Sequence, residues 1–220
     1  MLTSQITHKI DAGRLMIVPL FALLLVMNIF GIHEDVKALE PVSAIKVATL
    51  IHHMLLICFY SLVVFLYFIR SAAKSTTKSL IAKTIAFIAS FLPFAIPFLS
   101  SSSDNSRIML SANLITIFGM IISLYSLGAL GKSFSIIPQA RTLVQTGPYK
   151  LIRHPLYLGE LISLIGIVLA RFSISAITVY CLIITLQIYR AVQEERLLAS
   201  IFPEYEPYSQ KKARFLPGIF

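Results

Sequence analysis

The chain has 220 residues, 57% of them hydrophobic and only 13% charged, with a mean hydropathy of +0.82. So little polar surface cannot cover a water-soluble globule of this size, which excludes an ordinary soluble enzyme or binding module and makes lipid the main solvent. A net charge of +9 would point to nucleic acid in a soluble protein; in a membrane chain its distribution among loops is the informative quantity, and no nucleic-acid partner is expected.

Crossing a hydrocarbon core of about 30 Å takes roughly 20 apolar residues at 1.5 Å each. The first such run covers residues 15–32. It lacks a small-residue cleavage pattern and is as long as a spanning helix, so it is read as a span and not as a signal peptide. The second run covers 47–69, the third 80–99 and the fourth 108–130. His52 and His53 begin the interior of the second span, but neighbouring residues face different directions on a helix, which argues against a two-histidine metal site; no metal is expected. Cys58 and Cys181 lie inside apolar runs and read as small hydrophobes. The fifth run, 156–189, is too long for one crossing and is interrupted at Arg171, Phe172 and Ser173. It predicts two helices folded back as a hairpin, with Arg171 a snorkelling anchor in the turn. The expected fold is an all-α, polytopic bundle of about six membrane helices with a C-terminal helix and tail on the cytoplasmic side.

Loop charge supports that path. Arg70, Lys74, Lys78 and Lys83 follow the second run and Lys132, Arg141, Lys150 and Arg153 the fourth, with no acid among either set. Both read as cytoplasmic. Glu34, Asp35 and Glu40 offset Lys37 and Lys46 between the first two runs, and only Asp104 and Arg107 follow the third; those loops read as external. With Lys9 and Arg14 ahead of the first helix, both termini are expected in the cytoplasm. Residues 1–130 form a four-helix membrane region and 131–220 a cofactor-binding and catalytic region, expected to be one integrated domain. The Ser/Asn cluster at 100–106 reads as a simple external turn.

Polar chemistry concentrates after residue 130. The long loop carries Thr146, Gly147, Pro148 and Tyr149 as a turn signature, then Arg153, His154, Pro155, Leu156, Tyr157, Leu158 and Gly159 at a helix entrance. Pro155 suits a first helical turn, because its missing N–H would have no intrahelical partner there. Arg153 and His154 then project to the mouth of the helix, near N–H groups that favour an anion; the alternative is that Arg153 only anchors the helix among headgroups. Glu160 lies one turn inside, where a carboxylate is costly unless paired, protonated or facing water.

The hairpin is followed by Arg190, Gln193, Glu194 and Glu195, with Leu197, Leu198, Ile201 and Phe202 on another face before Pro203 ends the helix. On its own this reads as a solvated helix with an Arg190–Glu194 pair. The tail, with Tyr205, Tyr208, Lys211, Lys212, Arg214, Phe215 and Pro217, suits either the membrane interface or closure over a cofactor. Asn28 and Asn113 are candidates for lining a membrane-facing cavity or for bonding a neighbouring helix.

Three segments in order, 143–149 (LVQTGPY), 153–159 (RHPLYLG) and, after the hairpin, 194–208 (EERLLASIFPEYEPY), resemble the isoprenylcysteine carboxyl methyltransferase family and its phospholipid methyltransferase relatives. The resemblance covers about the last 90 residues. It implies an S-adenosylmethionine pocket at the cytoplasmic face and a lipophilic small-molecule or prenylated substrate entering from the membrane lipid. By position it implies Gly147, Pro148, Tyr149, His154, Tyr157, Gly159, Glu194 and Glu195 as cofactor contacts. Arg190 and Arg153 become substrate or carboxylate orienters, with Glu160 or His154 a proton acceptor where the acceptor must lose a proton. The alternatives are a sterol-reductase-like, NADPH-dependent membrane reductase and a non-catalytic membrane lipid-binding protein.

Overall fold

A computed structural model describes residues 12–216; Lys9 and Pro217, used in the charge and tail readings, lie outside the described residues. Helices α1 (Ala12–Lys37) and α2 (Ala44–Ile69) form a hairpin, followed by α3 (Leu80–Phe91), which continues as a 3-10 helix over Leu92–Phe98. Then come α4 (Ser106–Leu130), α5 (Pro155–Ala170), α6 (Ile174–Ile201) and a short α7 (Tyr205–Lys211). The only sheet among the described residues is a two-residue antiparallel pair, β1 (Ser75–Thr76) with β2 (Gln139–Ala140).

The all-α expectation holds, with one refinement of the helix count. Five helical segments are long and apolar enough to cross a membrane: Gly13–Lys37, Ala44–Ile69, Leu80–Phe98, Ser106–Ser133 and Ile174–Ile201. The sixth, α5, has 16 residues and is therefore about 24 Å long, short of a full hydrocarbon core. It still runs from one end of the bundle to the other. At one end the hairpin turn is tied to the 99–105 loop by Ser103 N donating to Ala170 O at 2.8 Å and Ser100 Oγ to Arg171 O at 2.7 Å. At the other end the loops after α2 and α4 meet through β1–β2 and through Ser71 N donating to Lys132 O at 3.1 Å. The loops that charge assigned to the same side thus share the same end.

Two local departures have evident causes. The third run is not one α-helix: Pro93 and Pro97 lack the N–H an α-helix needs and crowd the preceding turn, so α-geometry stops at Phe91. Nor is the 100–106 loop a free external turn, since Arg171 donates to Pro97 O at 2.9 Å and Ser100 O at 2.8 Å, satisfying carbonyls at the end of the 3-10 helix. Arg171 is a cap more than a snorkelling anchor.

The closest helix pair is α4 with α5, across the 130/131 boundary. A Cβ added at Gly119 would stand 2.4 Å from Ser163 N, one at Gly159 2.7 Å from Ser123 N, and one at Gly166 2.8 Å from Thr116 N. Small residues let the two backbones touch, the usual basis of helix association in lipid. Thr116 Oγ1 adds a 3.2 Å bond to Ser163 O. Outward-facing Phe65, Phe68, Leu114 and Phe118 remain exposed, as expected of surfaces solvated by lipid.

Candidate active site

At the end of the bundle that carries β1 and β2, the 131–154 loop is folded back under α6. Gly147 has φ +57°, and a Cβ there would sit 3.2 Å from Ala129 Cβ; both left-handed backbone and crowding call for glycine. A 3-10 turn, Gly147–Lys150, follows, with Pro148 near its start and Tyr149 buried. The chain reaches α5 through His154 at the N-cap, with Pro155 as first helical residue.

The tail returns to this loop. Ile152 bridges Ala213, and the amides of Arg153 and His154 donate to Ala213 O at 2.9 Å and Arg214 O at 3.0 Å. Tyr208 donates its hydroxyl to Tyr149 O at 2.8 Å, and Phe215 is buried in the main core beside Leu156 and Tyr157. Burial raises the Tyr208 hydroxyl to about 12 and also lifts those of Tyr149 and Tyr205.

Glu195 joins the three segments. Its carboxylate accepts from Arg153 Nη1 at 2.8 Å, faces His154 Nε2 at 2.9 Å, and takes the Arg214 guanidinium on both oxygens at 2.9 and 3.0 Å. The hydrogen bond to Glu195 holds the Arg214 guanidinium above its ordinary value. The anion that Arg153 and His154 meet at the helix mouth is therefore the protein's own carboxylate.

Glu194, next on the helix, points elsewhere. It is paired with the Tyr157 hydroxyl and accepts from Arg190 Nε at 3.3 Å. The His154 ring lies parallel to that of Tyr157 at 5.3 Å, and the Arg190 guanidinium lies 4.7 Å from the Tyr157 ring centre. Arg190 Nη1 also donates to Ser90 Oγ of α3 at 3.1 Å. Within the polar pocket of about 100 Å³ bounded by these groups, Arg153 Nε and the Tyr205 hydroxyl are buried without a hydrogen-bond partner.

Arg190 also lines a second cavity, of about 640 Å³, between α1, α2, α3, α4, α5 and α6. Its wall is mostly apolar, with Glu160, Gln187 and Ser123 as polar points near Arg190 in sequence or on facing helices. Gln187 Nε2 donates to Glu160 at 2.8 Å, while Gln187 Oε1 and Ser123 Oγ are buried without partners. Asn28 and Asn113, expected as cavity candidates, both line it.

Of the residues expected from sequence, Tyr149, Arg153, His154, Tyr157, Arg190 and Glu194 come together around the polar pocket, and Glu160 with Arg190 on the larger cavity. Gly147, Pro148, Gly159 and Glu195 do not line the pocket: the first two shape the turn, Gly159 packs α5 on α4, and Glu195 is the clamp behind the pocket. Sequence reading placed Tyr205, Tyr208 and Arg214 in a tail suited to the membrane interface or to closure over a cofactor, but missed the partners that dock it on the 147–154 loop. It also missed Gln187, whose signal was a polar side chain in an apolar run one turn before Arg190. Among the described residues no group of three or more His, Cys, Asp or Glu is placed to hold a metal.

Residues 107–205 match the family model of phospholipid methyltransferases, a span holding the first two motif segments and most of the third. Over that segment the chain is similar to phospholipid methyltransferases. Two curated relatives are each similar over about half of the chain. The cobalt-zinc-cadmium resistance protein CzcN of Cupriavidus metallidurans is 36% identical over 110 residues, covering 48% of this chain and 50% of the relative. The nickel-cobalt-cadmium resistance protein NccN of Alcaligenes xylosoxydans xylosoxydans is 32% identical over 113 residues, 50% of this chain and 53% of the relative. The chain spans about half the length of the curated relatives it matches. The matched segment thus carries most of the polar pocket, Arg190 and one wall of the large cavity, whereas α1, α2 and α3 lie outside the match.

Proposed function

We propose that this protein transfers a methyl group from S-adenosylmethionine to a lipophilic acceptor drawn from the bilayer. The observation that carries this reading is that two buried side chains, Arg190 and Phe134, border both the polar pocket and the large apolar cavity. A polar methyl donor and an apolar acceptor would meet at this shared wall, with Arg190 as its charged member.

The donor set fits such a molecule. Arg153 Nε and the Tyr205 hydroxyl suit a carboxylate or ribose oxygen, the Glu194 carboxylate suits an ammonium, and the rings of Tyr149, Tyr157 and Tyr208 suit a flat base or the face of a cation. S-adenosylmethionine, when bound, supplies an electrophilic methyl on a sulfonium. A pocket of about 100 Å³ is smaller than the 300 Å³ or more typical of sites for molecules of this size, so binding requires α7 or the Leu143–Val144 stretch to move outward. Arg190, fixed by Glu194, Ser90 and the Tyr157 ring, orients the acceptor, and the surrounding apolar wall excludes water. Glu160, on the cavity wall, is better placed than His154 to take a proton from an acceptor that must lose one, because His154 Nε2 faces Glu195. The basic loops after α2 and α4 support a cytoplasmic position for the pocket.

The test is calorimetric titration of the purified protein in lipid nanodiscs with S-adenosylmethionine, its demethylated product and NADPH. The first two should bind, at least about tenfold more weakly to Glu194→Gln, and NADPH should not. Absence of S-adenosylmethionine binding by folded protein overturns the proposal, and selective NADPH binding would make it a reductase of the sterol reductase kind.

A further inference from the structure

We infer that the large cavity has two polar poles, and that its pole remote from Arg190, formed by His52, His53, Asn28 and Asn113, binds a hydroxyl group at the far end of the lipophilic ligand. The inference rests on the proposal that the cavity takes the acceptor and adds what that acceptor carries at its other end. Three of the four residues belong to α1 and α2, outside the segment matched by the family model.

The four side chains line one continuous cavity with Arg190, Glu160 and Gln187. His52 lies eight residues into α2 and Arg190 sixteen residues into α6, two helices that start at the same end of the bundle. At 1.5 Å per residue this sets the poles on the order of 10 Å apart along the bundle axis. Between them the wall is mostly apolar, with Phe21, Leu56, Phe59 and Leu164, and the hydroxyls of Thr116 and Ser163 there are bonded to backbone carbonyls. A polar group inside a span is costly unless it is satisfied, and such groups there mark ligand paths by default.

The hydrogen-bonding state of the pole specifies its ligand. Asp35 is paired with His53 Nδ1, which fixes the ring proton on that nitrogen and leaves Nε2 an acceptor. Asn28 Nδ2 donates one of its two hydrogens to Leu24 O at 2.9 Å, leaving the other N–H and the Oδ1 acceptor for a ligand. Asn113 shares a 3.1 Å bond with Thr49 Oγ1. The ring of His52, stacked beside His53 at 5.6 Å, offers one donor and one acceptor in its neutral form. Acceptors interleaved with the remaining amide and ring N–H donors suit a group that both gives and receives a hydrogen bond. A hydroxyl does so; a carboxylate or phosphate, which only accepts at neutral pH, does not. At about 640 Å³ the cavity has the size of a site for a complete small ligand.

The probes are radiolabelled 1-decanol and 1,10-decanediol, measured by saturation binding to the protein in nanodiscs without methyl donor, with partitioning into empty nanodiscs subtracted. The diol should bind from the bilayer at least about tenfold more tightly than the alcohol. His53→Phe and Asn28→Leu should each bring the two to within about twofold with alcohol affinity unchanged, and His53→Gln, which restores an acceptor, should recover most of the preference. Equal affinities in the native protein, or a preference that survives His53→Phe, overturn the two-pole inference and leave the methyl-transfer proposal standing. No saturable binding of either probe overturns both the inference and the assignment of the cavity to the acceptor.

Discussion

Replacing Glu195 with Gln should release the C-terminal tail before it unfolds the bundle. The native carboxylate takes four bonds at 2.8–3.0 Å from Arg153, His154 and Arg214. Gln keeps one acceptor oxygen and turns an NH₂ towards the remaining donors, so at least two charge-assisted bonds are lost. Each is worth about 1.5–3 kcal/mol when buried. With these side chains 8–18% exposed, a net cost of about 2–3 kcal/mol follows after allowance for screening. That raises the population with the tail undocked roughly 30- to 150-fold. The readout is amide exchange at Arg153 and His154, whose N–H groups donate to Ala213 O and Arg214 O. Both should exchange faster by that factor while the amides of α2 and α4 keep their protection. Unchanged protection at these two amides in a folded variant would refute the view that Glu195 holds the tail.

Three further outcomes follow from the same geometry. Gly159→Ala should lower thermal stability by about 1–3 kcal/mol, because its Cβ would meet Ser123 N at 2.7 Å and Gly119 O at 2.8 Å, backbone atoms that yield only if α4 and α5 part; S-adenosylmethionine affinity measured below the melting transition should be little changed. Arg171→Ala should cost about 1 kcal/mol by freeing Pro97 O and Ser100 O, seen as a lower melting temperature with binding at the opposite end intact. Raising the pH above 10 should undock the tail: a free tyrosine ionises near 10 whereas Tyr208 in place does so near 12, so in that window the undocked state has lost a proton that the docked state retains, and stability falls as pH rises. Tyrosinate absorbance and exchange at Arg153 should change together, and Tyr208→Phe should remove part of the slope.

The sequence made the bundle legible where charge or polarity broke an apolar run. Arg171, Phe172 and Ser173 marked the α5–α6 turn because no membrane helix carries such a break without reason, and Arg190 with Glu194 stood out as ions beside an apolar run. The Pro93 and Pro97 pair carried a signal for the 3-10 segment that apolar run length alone obscured. What stayed hidden depends on tertiary placement. Glu194 and Glu195 are chemically identical, but about 100° of helix rotation turns one into the pocket and the other onto Arg153, His154 and Arg214. Gly159 looked like a ligand contact because it stands in a motif; only the backbone of α4 beside it reveals the packing role. Tyr205, Tyr208 and Arg214 suited either the membrane interface or closure over a cofactor, and only tertiary placement brings them to Tyr149, Glu195 and His154.

Label transfer from S-adenosylmethionine carrying a tritiated methyl group tests the central proposal most directly. Native protein in nanodiscs made with total membrane lipid should move tritium into an organic-soluble product. Arg190→Ala, which loses the charged side chain bordering both cavities, should transfer at least about a hundredfold less while still binding the methyl donor. Folded, donor-binding native protein that leaves no label in the organic phase, or a variant that transfers as fast as native, would contradict the account.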